Sequence, residues 1–117
     1  MTEQHLPSGL PLIAMPALTP TALRTAVAQL APARVAEFSD HLEQAAEQAA
    51  AQSTLAPLRS FLQYWGEFVA IERIPERAAR LRRLEEEARR ASDMVTATRL
   101  IGEIQQILAE AEREVAT

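Results

Sequence analysis

The sequence predicts an all-α fold, a small bundle of four to five helices with an extended Pro-rich N-terminal arm and a C-terminal amphipathic helix. Three observations carry that prediction. From residue 20 onward the prolines sit where helices begin, since a first-turn Pro loses no needed hydrogen bond and already has helical φ. Apolar side chains in successive segments recur three and four residues apart, the spacing of one helix face. Of the 117 residues, 23 are Ala, leaving 33 larger apolar side chains. A core built from so few must be thin and must bring helices close together.

Residues 1–19 form the arm. Pro7, Pro11 and Pro16 deny it a helix or strand period. Its apolar residues, Leu6, Leu10, Leu12, Ile13, Met15 and Leu18, are unlike a polar disordered tail. Such an arm either lies across its own domain or docks on a partner in extended form.

The helical domain, residues 20–91, follows. Thr19-Pro20 supplies a capping hydroxyl and a first-turn Pro for a short helix with Leu23, Val27 and Leu30 on one face. Pro32 opens a second helix reaching about Gln52. Its stripe of Val35, Phe38, Leu42, Ala45, Ala46 and Ala49 thins to Ala alone. Ser53 or Thr54 caps a third helix with Leu58, Phe61, Leu62, Tyr64, Trp65, Phe68 and Val69 on one face. Four of the five aromatic residues lie between Phe61 and Phe68, so this helix anchors the core. Gly66 costs about 1 kcal/mol of helix propensity against Ala and marks a close contact or a bend.

Ile74-Pro75 ends the third helix and starts a fourth, Pro75 to about Ala91, with a slight apolar side of Leu81, Leu84, Ala88 and Ala91. The C-terminal amphipathic helix, within residues 92–117, places Met94, Ala97, Ile101, Ile104, Leu108, Ala111 and Val115 at alternating spacings of three and four, flanked by Leu100 and Ile107. Residues 75–116 read either as one long helix or as a hairpin. The cap pair Ser92-Asp93, where composition turns from Arg/Glu-rich to aliphatic, favours the hairpin. In a hairpin two Leu and two Ala cannot cover the aliphatic stripe. Its surplus must meet the aromatic helix, the arm or a second chain. Leu100, Ile101, Ile104, Ile107, Leu108 and Val115 are therefore the candidate partner-binding residues.

The chain has no Cys, which removes disulfides, thiolate zinc sites and cysteine nucleophiles. Its net charge is −4, a poor basis for non-specific nucleic-acid binding. No apolar run is long enough for a membrane span, and no basic segment precedes an apolar one as a secretory signal requires. A cytoplasmic location is expected. His41 shares a helix face with Glu37 but not with Asp40, and two ligands do not make a metal site. His5 lies in the arm. Ser39 cannot face His41 on a helix, and Gly9, Gly66 and Gly102 are too scattered for a phosphate loop. No catalytic residue, cofactor or metal is expected. Glu72 falls within an apolar helix face, where a carboxylate requires an ionic partner, and Arg24, Arg34, Arg73 and Arg77 are in reach.

Arg73, Arg77, Arg80, Arg82 and Arg83 stand against Glu76 alone between residues 73 and 83. Arg73, Arg77, Arg80 and Arg83 are the candidate anion-binding residues, since guanidinium pairs bidentately with phosphate or carboxylate. Against that, Glu76–Arg80, Arg82–Glu86, Arg83–Glu87, Glu85–Arg89 and Glu86–Arg90 are all spaced i,i+4 and predict a self-paired solvated face.

The run Leu18-Thr-Pro-Thr-Ala-Leu-Arg24, then Ala31-Pro-Ala-Arg-Val-Ala-Glu-Phe38, Leu55-Ala-Pro-Leu-Arg-Ser-Phe-Leu62 with Trp65, and Ile71-Glu-Arg-Ile-Pro75 with Ala79-Arg-Leu81 resembles a family of small helical proteins of high-GC bacteria catalogued only as a domain of unknown function. The resemblance covers residues 18–85 and rests on caps, first-turn prolines and core positions. It implies an antitoxin-like or partner-binding role by analogy, and it does not require the helix after Ser92. The resulting expectation is a non-catalytic protein–protein interaction module, antitoxin-like or regulatory, acting on a partner or on itself as a homodimer. The alternatives are a DNA-binding regulator using Arg73 to Arg83 and a structural homo-oligomer.

Overall fold

The computed structural model describes residues 9–116, so His5, Leu6 and Pro7 of the arm lie outside the described residues. Five α-helices follow in order: α1 Pro20–Leu30, α2 Val35–Gln52 preceded by a single 3-10 turn Pro32–Arg34, α3 Ala56–Glu72, α4 Pro75–Arg90 and α5 Met94–Ala116. No strand occurs among the described residues, and the all-α fold is as expected. Backbone contacts divide the chain into two compact units, Met15–Val69 and the described parts of Met1–Ala14 and Ala70–Thr117. The described residues of the arm up to Ala14 and all of α5 group with α4, while the end of the arm, residues 15–19, groups with α1.

The caps follow from residue chemistry. Thr19 Oγ1 accepts the Ala22 amide at 3.2 Å, and Thr54 Oγ1 accepts that of Ala56 at 3.2 Å. Asp93 Oδ2 accepts the Thr96 amide at 2.8 Å, satisfying an orphan donor at the start of α5. α2 ends at Ser53 in the left-handed region, φ 53°. Ile74 leaves the helical region at φ −113° and ψ 96°, and Pro75 then starts α4.

Unit Met15–Val69 is built around aromatic rings. Leu23, Val27, Phe38, Phe61, Trp65 and Val69 are fully buried. The Phe38 ring meets Phe61 and Trp65 edge-on, with centroids 5.0 and 5.2 Å apart. Such pairs add about 0.5–1.5 kcal/mol each beyond area burial. Arg34 lies over Trp65 and Phe68, 5.3 and 4.8 Å from the ring centroids, while its guanidinium donates to both Glu37 carboxylate oxygens at 2.6 and 2.9 Å. Gly66 is buried inside an unbroken helix. Two expected core positions face solvent instead: Tyr64, at the margin of the α3 stripe, and Ala46, on the outer edge of the α2 stripe.

In the second unit α4 and α5 form an antiparallel hairpin joined by residues 91–93, settling the ambiguity over residues 75–116. Ala78, Leu81 and Leu84 of α4 and Leu100, Ile107, Ala111 and Val115 of α5 are buried. Each fully buried Leu or Ile contributes about 1.5–3 kcal/mol.

Candidate functional site

Four of the five arginines of residues 73–83 are held by carboxylates that sequence spacing did not indicate. Arg73 Nη2 donates to Glu114 Oε1 at 2.8 Å, and Arg77 donates to both Glu114 oxygens at 3.1 and 2.5 Å. Arg80 pairs with Glu103 at 3.2 Å, and Arg82 with Glu72 at 3.1 Å. Because α5 folds back along α4, its acidic residues reach these arginines first. Of the expected i,i+4 pairs only Glu86–Arg90 forms, at 2.9 Å, with Arg89 sharing the same carboxylate. Arg83 is exposed and has no ion pair among the described residues.

Glu72 has the ionic partner its half-buried position requires, but that partner is Arg82 rather than Arg24, Arg34, Arg73 or Arg77. On one straight helix ten residues would separate the two backbones by about 15 Å, beyond the joint reach of the side chains. The break at Ile74 brings them together.

Arg73 also fixes the arm. Its carbonyl accepts the Leu12 amide at 2.7 Å, and its Nη1 donates to the Ile13 carbonyl at 3.2 Å. One residue thus joins the arm, the end of α3 and, through Glu114, the last turns of α5. The arginines hold the Glu114 carboxyl below its ordinary value of 4.5, mainly through the Arg77 hydrogen bond, with Arg73 adding to it against the opposing effect of burial. At this point the arm lies on its own chain, while Leu10 and Leu12 remain exposed.

His41 is a boundary residue with a specific partner. Its Nδ1 accepts the indole N–H of fully buried Trp65 at 2.9 Å, and its ring meets Phe61 and Tyr64 edge-on at 5.0 and 5.6 Å. An indole only donates, so Nδ1 carries no proton in this arrangement. No local spacing points to this bond, because the two residues lie 24 positions apart on different helices. No group of three or more His, Cys, Asp or Glu residues is placed to hold a metal ion among the described residues.

The helical rotation of α5 sorts the candidate partner-binding residues. Leu100, Ile107 and Val115 are buried and Ile104 is half-buried, so these four belong to the inward side of the hairpin rather than to a free surface. Ile101 and Leu108 remain 48% and 39% exposed, with Met94 and Val95 at 81% and 80%. The expected seam of Met94, Ile101 and Leu108 is displaced because α4 engages the side centred between Leu100 and Ile107.

The fold and these surfaces define an all-α protein whose arm and terminal helix are pinned by one arginine–carboxylate cluster, with an uncovered aliphatic edge on its last helix. The chain belongs to a family of unknown function, DUF6247, which it matches over residues 13–114. The match extends beyond residues 18–85 and takes in nearly all of α5, so the last helix is part of the family's domain and not an addition peculiar to this chain. No curated protein and no solved structure matches the chain. No helix among the described residues is long and apolar enough to cross a membrane.

Proposed function

We propose that this protein is a non-catalytic interaction module that binds another protein chain through the outward face of α5. The observation that carries the reading is the exposure of Met94, Val95, Ile101 and Leu108 along a helix whose opposite side is already packed. Contiguous exposed aliphatic surface is a mark of recognition sites. In its finer form the role is antitoxin-like or regulatory, with the module covering a working surface of its partner; the family resemblance supports that form by analogy alone. The DNA-binding alternative loses most of its basis, since Arg73, Arg77, Arg80 and Arg82 already have carboxylate partners.

The test is affinity capture from the native host with mass spectrometry, using the wild-type chain and an Ile101→Glu plus Leu108→Glu variant as parallel baits. The reading expects a stoichiometric protein retained by the first and lost by the second. Retention by both baits would remove α5 as the binding face. Duplex DNA retarded at low salt and released by Arg83→Glu would favour the alternative.

A further inference from the structure

We infer that the outward face of α5 docks on a second copy of this chain, with the two α5 helices antiparallel and crossing at Gly102. The inference rests on the interaction reading above and names its partner. At 100° per residue from Ile101, Leu108 and Met94 lie within about 20° of it, and Gln105, Thr98, Ala109, Gly102 and Val95 extend the same sector to about 120°. From Met94 to Ala109 the only charged residues are Arg99 and Glu103, which lie about 160° and 200° from Ile101 and so flank the sector without entering it. Two identical copies of such a face meet without like-charge repulsion.

Gly102 points to a close approach. A Gly inside a helix costs about 1 kcal/mol against Ala, and a Cβ added here would meet nothing within 4 Å. The chain's own packing gives no reason for its smallness. A second helix crossing at this point does, because a missing side chain lets backbones come together.

The face is also complementary to itself. About a two-fold axis between residues 101 and 102, antiparallel pairing sets Ile101 against the partner's Gly102 and Met94 against the partner's Ala109. Val95 meets the partner's Leu108, and Thr98 meets the partner's Gln105. Ile101 and Met94 thus oppose small residues, and polar opposes polar. A parallel pair would instead set Ile101 against Ile101 and Gly102 against Gly102, leaving a clash beside a void. The sector is about 24 Å long. One helix face of that length offers less than the roughly 800 Å² per partner of a standard interface, so the dimer should be micromolar in affinity.

The absence of Cys in this chain makes single-cysteine crosslinking clean. Thr98→Cys and Gln105→Cys chains, oxidised separately and as an equal mixture, should give a disulfide joining the two different variants and little of either homodimer. Like positions lie about 10 Å apart in this register, beyond disulfide reach. Sedimentation velocity should show a wild-type monomer–dimer equilibrium between about 1 μM and 1 mM, weakened at least about tenfold by Gly102→Leu with helix content unchanged. A wild-type monomer throughout that range overturns the second copy as partner. Capture of a different protein, lost with Ile101→Glu plus Leu108→Glu, would in that case leave the interaction reading standing. Disulfides formed preferentially within one variant overturn the antiparallel register.

Discussion

Replacing Glu114 by Gln probes the cluster that ties the arm and α5 to the start of α4. The carboxylate accepts from Arg73 and Arg77, whose side chains are each 13% exposed, and is itself 27% exposed. The amide keeps the shape but removes the counter-charge of two nearly buried guanidinium groups. Breaking a fully buried pair costs about 3–5 kcal/mol, and a charged hydrogen bond contributes about 1.5–3 kcal/mol. Partial exposure places the expected loss at about 2 kcal/mol, a fall in Tm of about 8 °C for a chain of this size. The Glu114 carboxyl is lowered below 4.5 in the folded state. Its contribution is therefore present above that value and lost as pH falls through the lower folded-state value. Thermal unfolding followed by circular dichroism at pH 7 and at acid pH measures both effects. Glu114→Gln should be less stable at pH 7, and the gap should narrow in acid. Equal Tm at pH 7, or a gap that persists at pH 2, would refute the cluster's role.

Three further substitutions test other parts of the fold by denaturant unfolding. Ile107→Ala should cost about 2–5 kcal/mol by opening a cavity, whereas Ile101→Ala in the dilute monomer should cost under about 1 kcal/mol, and the reverse order would mean that α5 is rotated. His41→Leu strips the acceptor from the Trp65 indole and should cost about 1–3 kcal/mol, a loss that disappears in a Trp65→Phe background. Ser53→Gly should stabilise the protein by about 0.5–1 kcal/mol, because the residue holds a positive φ that Gly adopts freely.

Local signals were legible in the sequence. Thr19, Thr54 and Asp93 cap the helices, Pro20 and Pro75 open theirs, and Phe38, Phe61 and Trp65 form a core as their spacing indicates. What escaped sequence reasoning depends on how helices meet. The α5 repeat of threes and fours is satisfied by two adjacent seams, and only the position of α4 decides that Leu100 and Ile107 turn inward while Ile101 stays out. Likewise Arg80 has Glu76 within reach on its own helix yet pairs with Glu103, because i,i+4 pairs are worth only a few tenths of a kcal/mol and yield readily to tertiary geometry. The bond from Trp65 to His41 left no periodic trace at all.

The outward face of α5 is proposed as an interaction surface, and for a second copy of the chain in particular. Sedimentation equilibrium of the wild-type chain and of the Ile101→Glu plus Leu108→Glu variant, with circular dichroism on the same samples, tests it most directly. A concentration-dependent dimer for the wild type and an equally helical monomer for the variant are predicted. A variant that associates as strongly as the wild type would contradict the claim.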